Sequence, residues 1–236
     1  MRFVSREKIK NFWTDRAKTT DVLRSESRVN FQKDSGTIDS YLKAETDVMN
    51  NELQLDRNDI VVDLGAGNGR WSFFIAPKVK KVTAVEYIEA FTDEIKLQIK
   101  ELKQHNVEVI SSSSEEFNRS KYADVVFVSG LFIYLDREQY ERTIKNIADT
   151  CKADGLLFMR EPISVLENEF IVDKFSEELN THYCSIYRTA AQHIEALERH
   201  GFILEKYAPF FEDGSVHNNR VETRLFYFVF KRNGQG

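Results

Sequence analysis

The 236-residue sequence holds two cysteines, three prolines and ten glycines, and each scarcity excludes something. Cys151 and Cys184 are too few for a disulfide framework and lack the paired spacing of a zinc site, so a reducing compartment is expected, with both thiols as small buried hydrophobes. Cationic excess is also missing: 33 Lys and Arg stand against 38 Asp and Glu, with no basic block, so nucleic acid is not expected as a partner. No apolar run approaches the ~20 residues of a membrane span, and Met1 to Lys8 lead straight into a charged amphipathic pattern. No membrane partner is expected, and the cytoplasm is the expected location. His182, His193, His200 and His217 do not cluster as metal ligands, so no metal is expected. What remains is 42% hydrophobic and 30% charged residues, enough apolar material for one domain with an added cap.

The chain divides into three patterns. Ile9, Phe12 and Trp13 recur at helical spacing after Ser5 as N-cap, a polar stretch from Lys18 to Gly36 reads as a loop or lid, and Ile38 to Leu53 carries a second apolar helical stripe. Residues 1–56 are therefore expected as a helical N-terminal cap, and residues 57–236 as the main domain. From Ile60 onward, short apolar runs beginning at Ile60, Val82, Val107, Asp124 and Gly155 alternate with helical segments, which predicts a doubly wound, mostly parallel α/β sheet. In the last third, Glu167–Leu179 and Thr189–His200 read as helices, and Phe202–Tyr207 and Val221–Phe230 as an antiparallel pair at one sheet edge.

Three glycines fall in Asp63-Leu-Gly65-Ala-Gly67-Asn68-Gly69-Arg70, directly between an apolar strand and a helix. A dinucleotide fold asks for Gly-x-Gly-x-x-Gly, so that a pyrophosphate meets the helix N-terminus. Here the third dinucleotide position is Arg70, and an acid precedes the first glycine by two residues, which favours a cationic ligand over a pyrophosphate. Glu86, 21 residues past Gly65, ends the next strand where a carboxylate can accept from both hydroxyls of a ribose, and Tyr87 can lie against an adenine.

Val61 to Gly69 resembles the first motif of class I S-adenosylmethionine-dependent methyltransferases of the small-molecule type, and Glu86 resembles their ribose-binding acid, over roughly Ile60 to Glu161. The resemblance implies a Rossmann-like fold and S-adenosyl-L-methionine as cofactor, with S-adenosyl-L-homocysteine as product. It implies cofactor contacts from Asp63, Gly65, Gly67, Asn68, Gly69, Glu86 and Tyr87. In the segment after the third strand it places Ser113 where an acid commonly meets the adenine amino group, with Ser114 and Glu115 beside it, and it puts Ser129 at the end of the fourth strand. Tyr134 stands where many members carry His.

Methyl transfer from a sulfonium needs positioning and desolvation more than catalytic side chains. The candidates for the acceptor side are His182 or Tyr134 as a base toward a hydroxyl, or Arg160 and Arg188 orienting an acceptor that is already an anion. The acceptor is expected to be a small molecule methylated on O or N, such as a sugar, a sugar phosphate or a natural product. Alternative readings are an NAD(P)-dependent oxidoreductase and a non-catalytic module that binds S-adenosylmethionine.

Overall fold

The computed structural model describes residues 6–18, 35–176, 181–218 and 220–234, and the side chains of residues 18, 35–38, 174, 176, 181 and 182 lie outside that description. Helices α1 (Arg6–Lys18) and α2 (Ser35–Glu52) precede β1 (Ile60–Leu64), α3 (Arg70–Ile75), β2 (Lys81–Glu86), α4 (Glu89–Glu101), β3 (Val107–Ser111) and β4 (Ala123–Ser129). Then come α5 (Arg137–Thr150), β5 (Cys151–Ser164), β6 (Phe170–Ser176), β7 (Thr181–Tyr187), α6 (Ala190–Arg199), β8 (Phe202–Pro209) and β9 (Thr223–Arg232). Ser5 and most of the polar stretch read as a lid lie outside the described residues.

Seven strands form one sheet in the order β3-β2-β1-β4-β5-β9-β8. The first five are parallel; β9 is antiparallel to both β5 and β8. The expected antiparallel pair is present, but its later strand lies inside the sheet and β8 takes the edge. The strands are apolar on both faces because both are covered, and neighbours in sequence go to opposite sides. Val62, Val126, Leu157 and Phe228 join one core with Ile144 and Ile147 of α5, while Val61, Phe127, Phe158 and Tyr227 join another with Trp71, Ile75 and Met49. Each large apolar side chain fully buried there contributes about 1.5–3 kcal/mol. Exposed ion pairs such as Lys43–Asp47 contribute about 0–1 kcal/mol, so the two cores hold the fold.

Local chemistry fixes the helix starts. Asp136 accepts from the Gln139 amide at 2.8 Å while the Gln139 side chain accepts from the Asp136 amide, a reciprocal cap that begins α5. Thr189 and Gln192 do the same for α6.

One element differs in kind. The sequence pattern predicts a helix over Glu167–Leu179, but the described part of that segment contains β6, paired antiparallel with β7 as a separate two-stranded sheet. The apolar residues Phe170, Ile171, Val172 and Phe175 fit either period, and pairing decides between them. Phe170 stacks on Tyr187 at 5.0 Å and Val172 packs on the third core, while Ile171 and Phe175 face outward. That third core joins Ile9 and Phe12 of α1 to Ile133, Tyr134, Tyr183 and Ile186, so the hairpin and the N-terminal helix pack as one cover over the carboxyl edge of the sheet.

Candidate active site

The β1–α3 turn is built by glycine's tolerance of positive φ, which Gly65, Gly67 and Gly69 all use, at +80°, +56° and +82°. The amides of Gly65 and Ala66 both donate to the Val85 carbonyl, which ties the turn to the end of β2. Glu86 then accepts from the Gly67 amide through Oε2 at 2.9 Å, and from the Tyr87 and Ile88 amides through Oε1 at 2.8 and 2.7 Å. Burial pushes its carboxyl up to about 7. Gly69 has a different task from the one expected. It does not line the cavity, and a Cβ there would stand 2.9 Å from both Ile95 and Phe73, so it lets α3 pack closely.

Beside this turn lies a cavity of about 350 Å³, within the range of small-ligand sites, at the carboxyl edge where strand order reverses between β1 and β4. Asp63, Gly65, Gly67, Asn68, Glu86, Tyr87, Ser113, Ser114, Glu115 and Ser129 all line it. The residues fit an adenosyl amino acid in parts. An ionised carboxylate has about four acceptor positions and the backbone takes three from Glu86, leaving capacity for a ribose hydroxyl. Ser113 Oγ is buried without a hydrogen-bond partner among the described residues, as expected of a group that waits for an adenine amino group. Ser114 differs: its hydroxyl is engaged with Thr143 at 2.9 Å, so it secures the loop. Glu115 is held by Arg6 at 3.0 Å and by Gln139 at 3.3 Å. Asp63 accepts from Ser72 Oγ at 2.5 Å, and burial pushes its carboxyl up to about 7.

Both N-terminal helices reach the cavity. Arg6, Ile9 and Trp13 of α1 line it, and Trp13 meets Tyr134 edge to face at 5.2 Å. From α2, Tyr41 reaches the cavity and Glu45 lies fully buried behind it, paired with Arg70 at 2.7 Å and with Arg160. Arg160 also donates to Tyr41 Oη at 3.1 Å and to Ser129 Oγ at 3.2 Å, while its Nε is buried without a hydrogen-bond partner. Two guanidiniums around one carboxylate leave one excess positive charge beside the glycine turn, suited to the carboxylate of an amino-acid ligand.

The remaining candidates separate. Tyr134 lines the cavity, but burial holds its hydroxyl well above the usual phenol range, so it is a neutral donor rather than a base. Arg188 is not on the cavity. Its guanidinium donates to the carbonyls of Phe132 and Leu135 at 2.8 and 2.9 Å and lies over Tyr140 at 4.1 Å, which corrects its expected role in orienting the acceptor. Arg188→Ala is expected to destabilise the fold by about 2 kcal/mol through the loss of those two charged hydrogen bonds. Denaturant titration checks this. His182 pairs with Phe175 in the β6–β7 register, and its side chain lies outside the described residues. His193 is a core residue beside Tyr140, held down to about 3 by burial. Sequence reading missed Tyr41, Glu45, Arg220 and His217 as site residues; only the i, i+4 spacing of Tyr41 and Glu45 could have signalled that they share one helix face. Among the described residues no group of His, Cys, Asp and Glu is placed to hold a metal ion, and no helix is long and apolar enough to cross a membrane.

Residues 61–155 match the family model described as a methyltransferase domain. An uncharacterized protein of Methanocaldococcus jannaschii is 32% identical over 119 residues, 49% of this chain and 46% of that protein. The (S)-coclaurine N-methyltransferase of Papaver somniferum is 30% identical over 131 residues, 55% of this chain and 37% of that enzyme. The matched stretch thus spans less than half the length of these two relatives. Among solved structures, phosphoethanolamine N-methyltransferase 1 of Haemonchus contortus, in complex with phosphoethanolamine and S-adenosylhomocysteine, superposes with a TM-score of 0.71 at 17% identity, covering 98% of this chain and 49% of that one. An S-adenosylmethionine-dependent methyltransferase of Leishmania major gives 0.70 at 17% identity, covering 95% and 82%. At these identities the structural likeness is one of fold.

Proposed function

We propose that this chain, whose residues 61–155 match the methyltransferase-domain model, is a class I S-adenosylmethionine-dependent methyltransferase that transfers a methyl group from S-adenosyl-L-methionine to a small-molecule acceptor. One observation carries the acceptor class: α1 and the β6–β7 hairpin pack over the carboxyl edge and line a cavity of about 350 Å³, the size of a small-ligand site. Helices α1 and α2, within the expected cap of residues 1–56, supply cap residues that line it. The names of the N-methyltransferase relatives support nitrogen as the accepting atom.

The bound cofactor supplies an electrophilic methyl carbon on a sulfonium. The chain's own residues hold and enclose the reactants. Glu86 accepts from the ribose, Ser113 receives the adenine, and the Arg70–Glu45–Arg160 cluster holds the amino-acid carboxylate. Trp13 and Tyr134 exclude water from the reacting end, and orientation of this kind supplies most of the acceleration in a displacement that needs no acid. His217 lines the cavity with its Nδ1 lacking a hydrogen-bond partner among the described residues, and is placed to take the proton an amine releases.

S-adenosylhomocysteine at 100 times its dissociation constant is expected to stabilise the fold by about 2.7 kcal/mol, a melting shift of roughly 5–10 °C. Differential scanning fluorimetry with NADH as the control tests this. A shift with NADH and none with S-adenosylhomocysteine would overturn the cofactor. Transfer of a labelled methyl group to amine acceptors tests the reaction itself.

A further inference from the structure

The charged residues that line the cavity are unevenly spread. Its acids among the described lining residues are Asp63, Glu86 and Glu115, all on β1, β2 or the segment after β3, on one side of the point where strand order reverses. The other side has no acid among its described lining residues and carries Arg160, His217, Arg220 and Arg224. β5 ends at Ser164, which pairs with Thr223 at the start of β9, and the Ser164 amide donates to the Arg188 carbonyl at 2.8 Å. These contacts bring the end of β7 and the segment leading into β9 together at the far end of the carboxyl edge. Arg220 there donates to Tyr187 Oη at 2.9 Å, and Tyr187 Oη lies 2.9 Å from Tyr183 Oη. All three residues line the cavity, and both tyrosines are buried. Arg224 donates to the Arg220 carbonyl and to the Thr223 carbonyl, which fixes the backbone that carries Arg220.

A sulfonium amino acid brings one carboxylate, and the excess charge of the Arg70–Glu45–Arg160 cluster beside the glycine turn answers it. Arg220 and its two phenols line the cavity from other elements, joined through hydrogen bonds of 2.9 Å. We infer that the methyl acceptor carries an oxyanion, a carboxylate or a phosphate, and that Arg220, backed by Tyr187 and Tyr183, receives it. This rests on the methyltransferase reading above. A guanidinium forms paired, charge-assisted hydrogen bonds with such groups, and Tyr187, its oxygen already accepting from Arg220, is polarised to donate its own proton. The anion anchors the acceptor beside Tyr134, whose ring meets that of Tyr183 edge to face at 6.4 Å.

The test measures binding of two probes, inorganic phosphate and acetate, to the full chain saturated with S-adenosylhomocysteine, by titration followed by NMR. Wild type is expected to bind at least one probe saturably, and the preferred probe tells phosphate from carboxylate. Arg220→Gln is expected to weaken that binding at least 10-fold, Arg220→Lys and Tyr187→Phe less, with S-adenosylhomocysteine affinity within twofold of wild type in each. The lysine and phenylalanine variants keep the test decisive if the glutamine variant folds poorly. Absence of saturable binding of either probe overturns the inference, as does undiminished binding in Arg220→Gln. An equal loss of S-adenosylhomocysteine affinity also overturns it, because Arg220 would then serve the cofactor. If S-adenosylhomocysteine does not bind wild type at all, the methyltransferase reading has failed first and this inference falls with it.

Discussion

Glu45→Ala is expected to lower the free energy of unfolding by about 3–5 kcal/mol, a large part of what holds a domain of this size folded. Glu45 is fully buried between Arg70 and Arg160, whose side chains are 17% and 10% exposed. Removing the carboxylate leaves two guanidiniums facing each other out of reach of most solvent, and this cost exceeds that of deleting the apolar stem of the side chain. The corresponding fall in melting temperature is roughly 6–20 °C. Because the penalty comes from unpaired charge, Glu45→Leu combined with Arg160→Met should recover part of it. Thermal and denaturant unfolding of the two variants checks the argument, and an unchanged melting point in Glu45→Ala would show that the arginines are neutralised elsewhere.

The second large effect concerns the cofactor. Glu86→Ala is expected to weaken S-adenosylhomocysteine binding by about 100-fold, since hydrogen bonds to a charged group contribute about 1.5–3 kcal/mol each and the same carboxylate holds the Gly67, Tyr87 and Ile88 amides in place. The ionised form is the better acceptor of ribose hydroxyls, and the free carboxyl titrates at about 7. Affinity should therefore rise between pH 6 and pH 8 and then level off, with Asp63 contributing in the same window. Ligand-free stability should run the other way. Asp63, Glu86 and Glu161 all have folded values raised by burial to about 7, so the stability they contribute is fully present below their unfolded values near 4 and is lost as pH rises through 7. Calorimetric titration and melting curves at matched pH values separate the two trends.

Much of this site is legible in the sequence because it is local. The glycine spacing after an apolar strand specifies the turn, and an acid at the next strand end lies beside that turn as soon as β1 and β2 pair in parallel. The acceptor side depends on residues that only tertiary structure unites. Tyr41 and Glu45 lie on a helix before the sheet, while His217 and Arg220 lie in a polar loop between β8 and β9, and nothing in the spacing of either segment refers to the other. Arg188 shows the converse error. It sits in an aromatic, polar stretch that reads like a binding segment, yet the carbonyls of Phe132 and Leu135 claim its donors. The β6 segment reads as a helix for a similar reason, because four apolar residues in six satisfy both periodicities and only the partner strand selects one.

The position of β9 has a consequence for how the molecule is made. It is the last described strand in sequence, yet it lies between β5 and β8, so during synthesis both of these wait with open hydrogen-bonding edges. The parallel half, from β3 to β5, can assemble as the chain emerges from the ribosome. β8 has nowhere to dock until Thr223–Arg232 has been translated, and the loop bearing His217 and Arg220 is drawn onto the carboxyl edge by the same event. A nascent chain arrested before residue 223 would then hold a finished glycine turn and an unfinished acceptor end, with β5 open to pairing with strands of other chains.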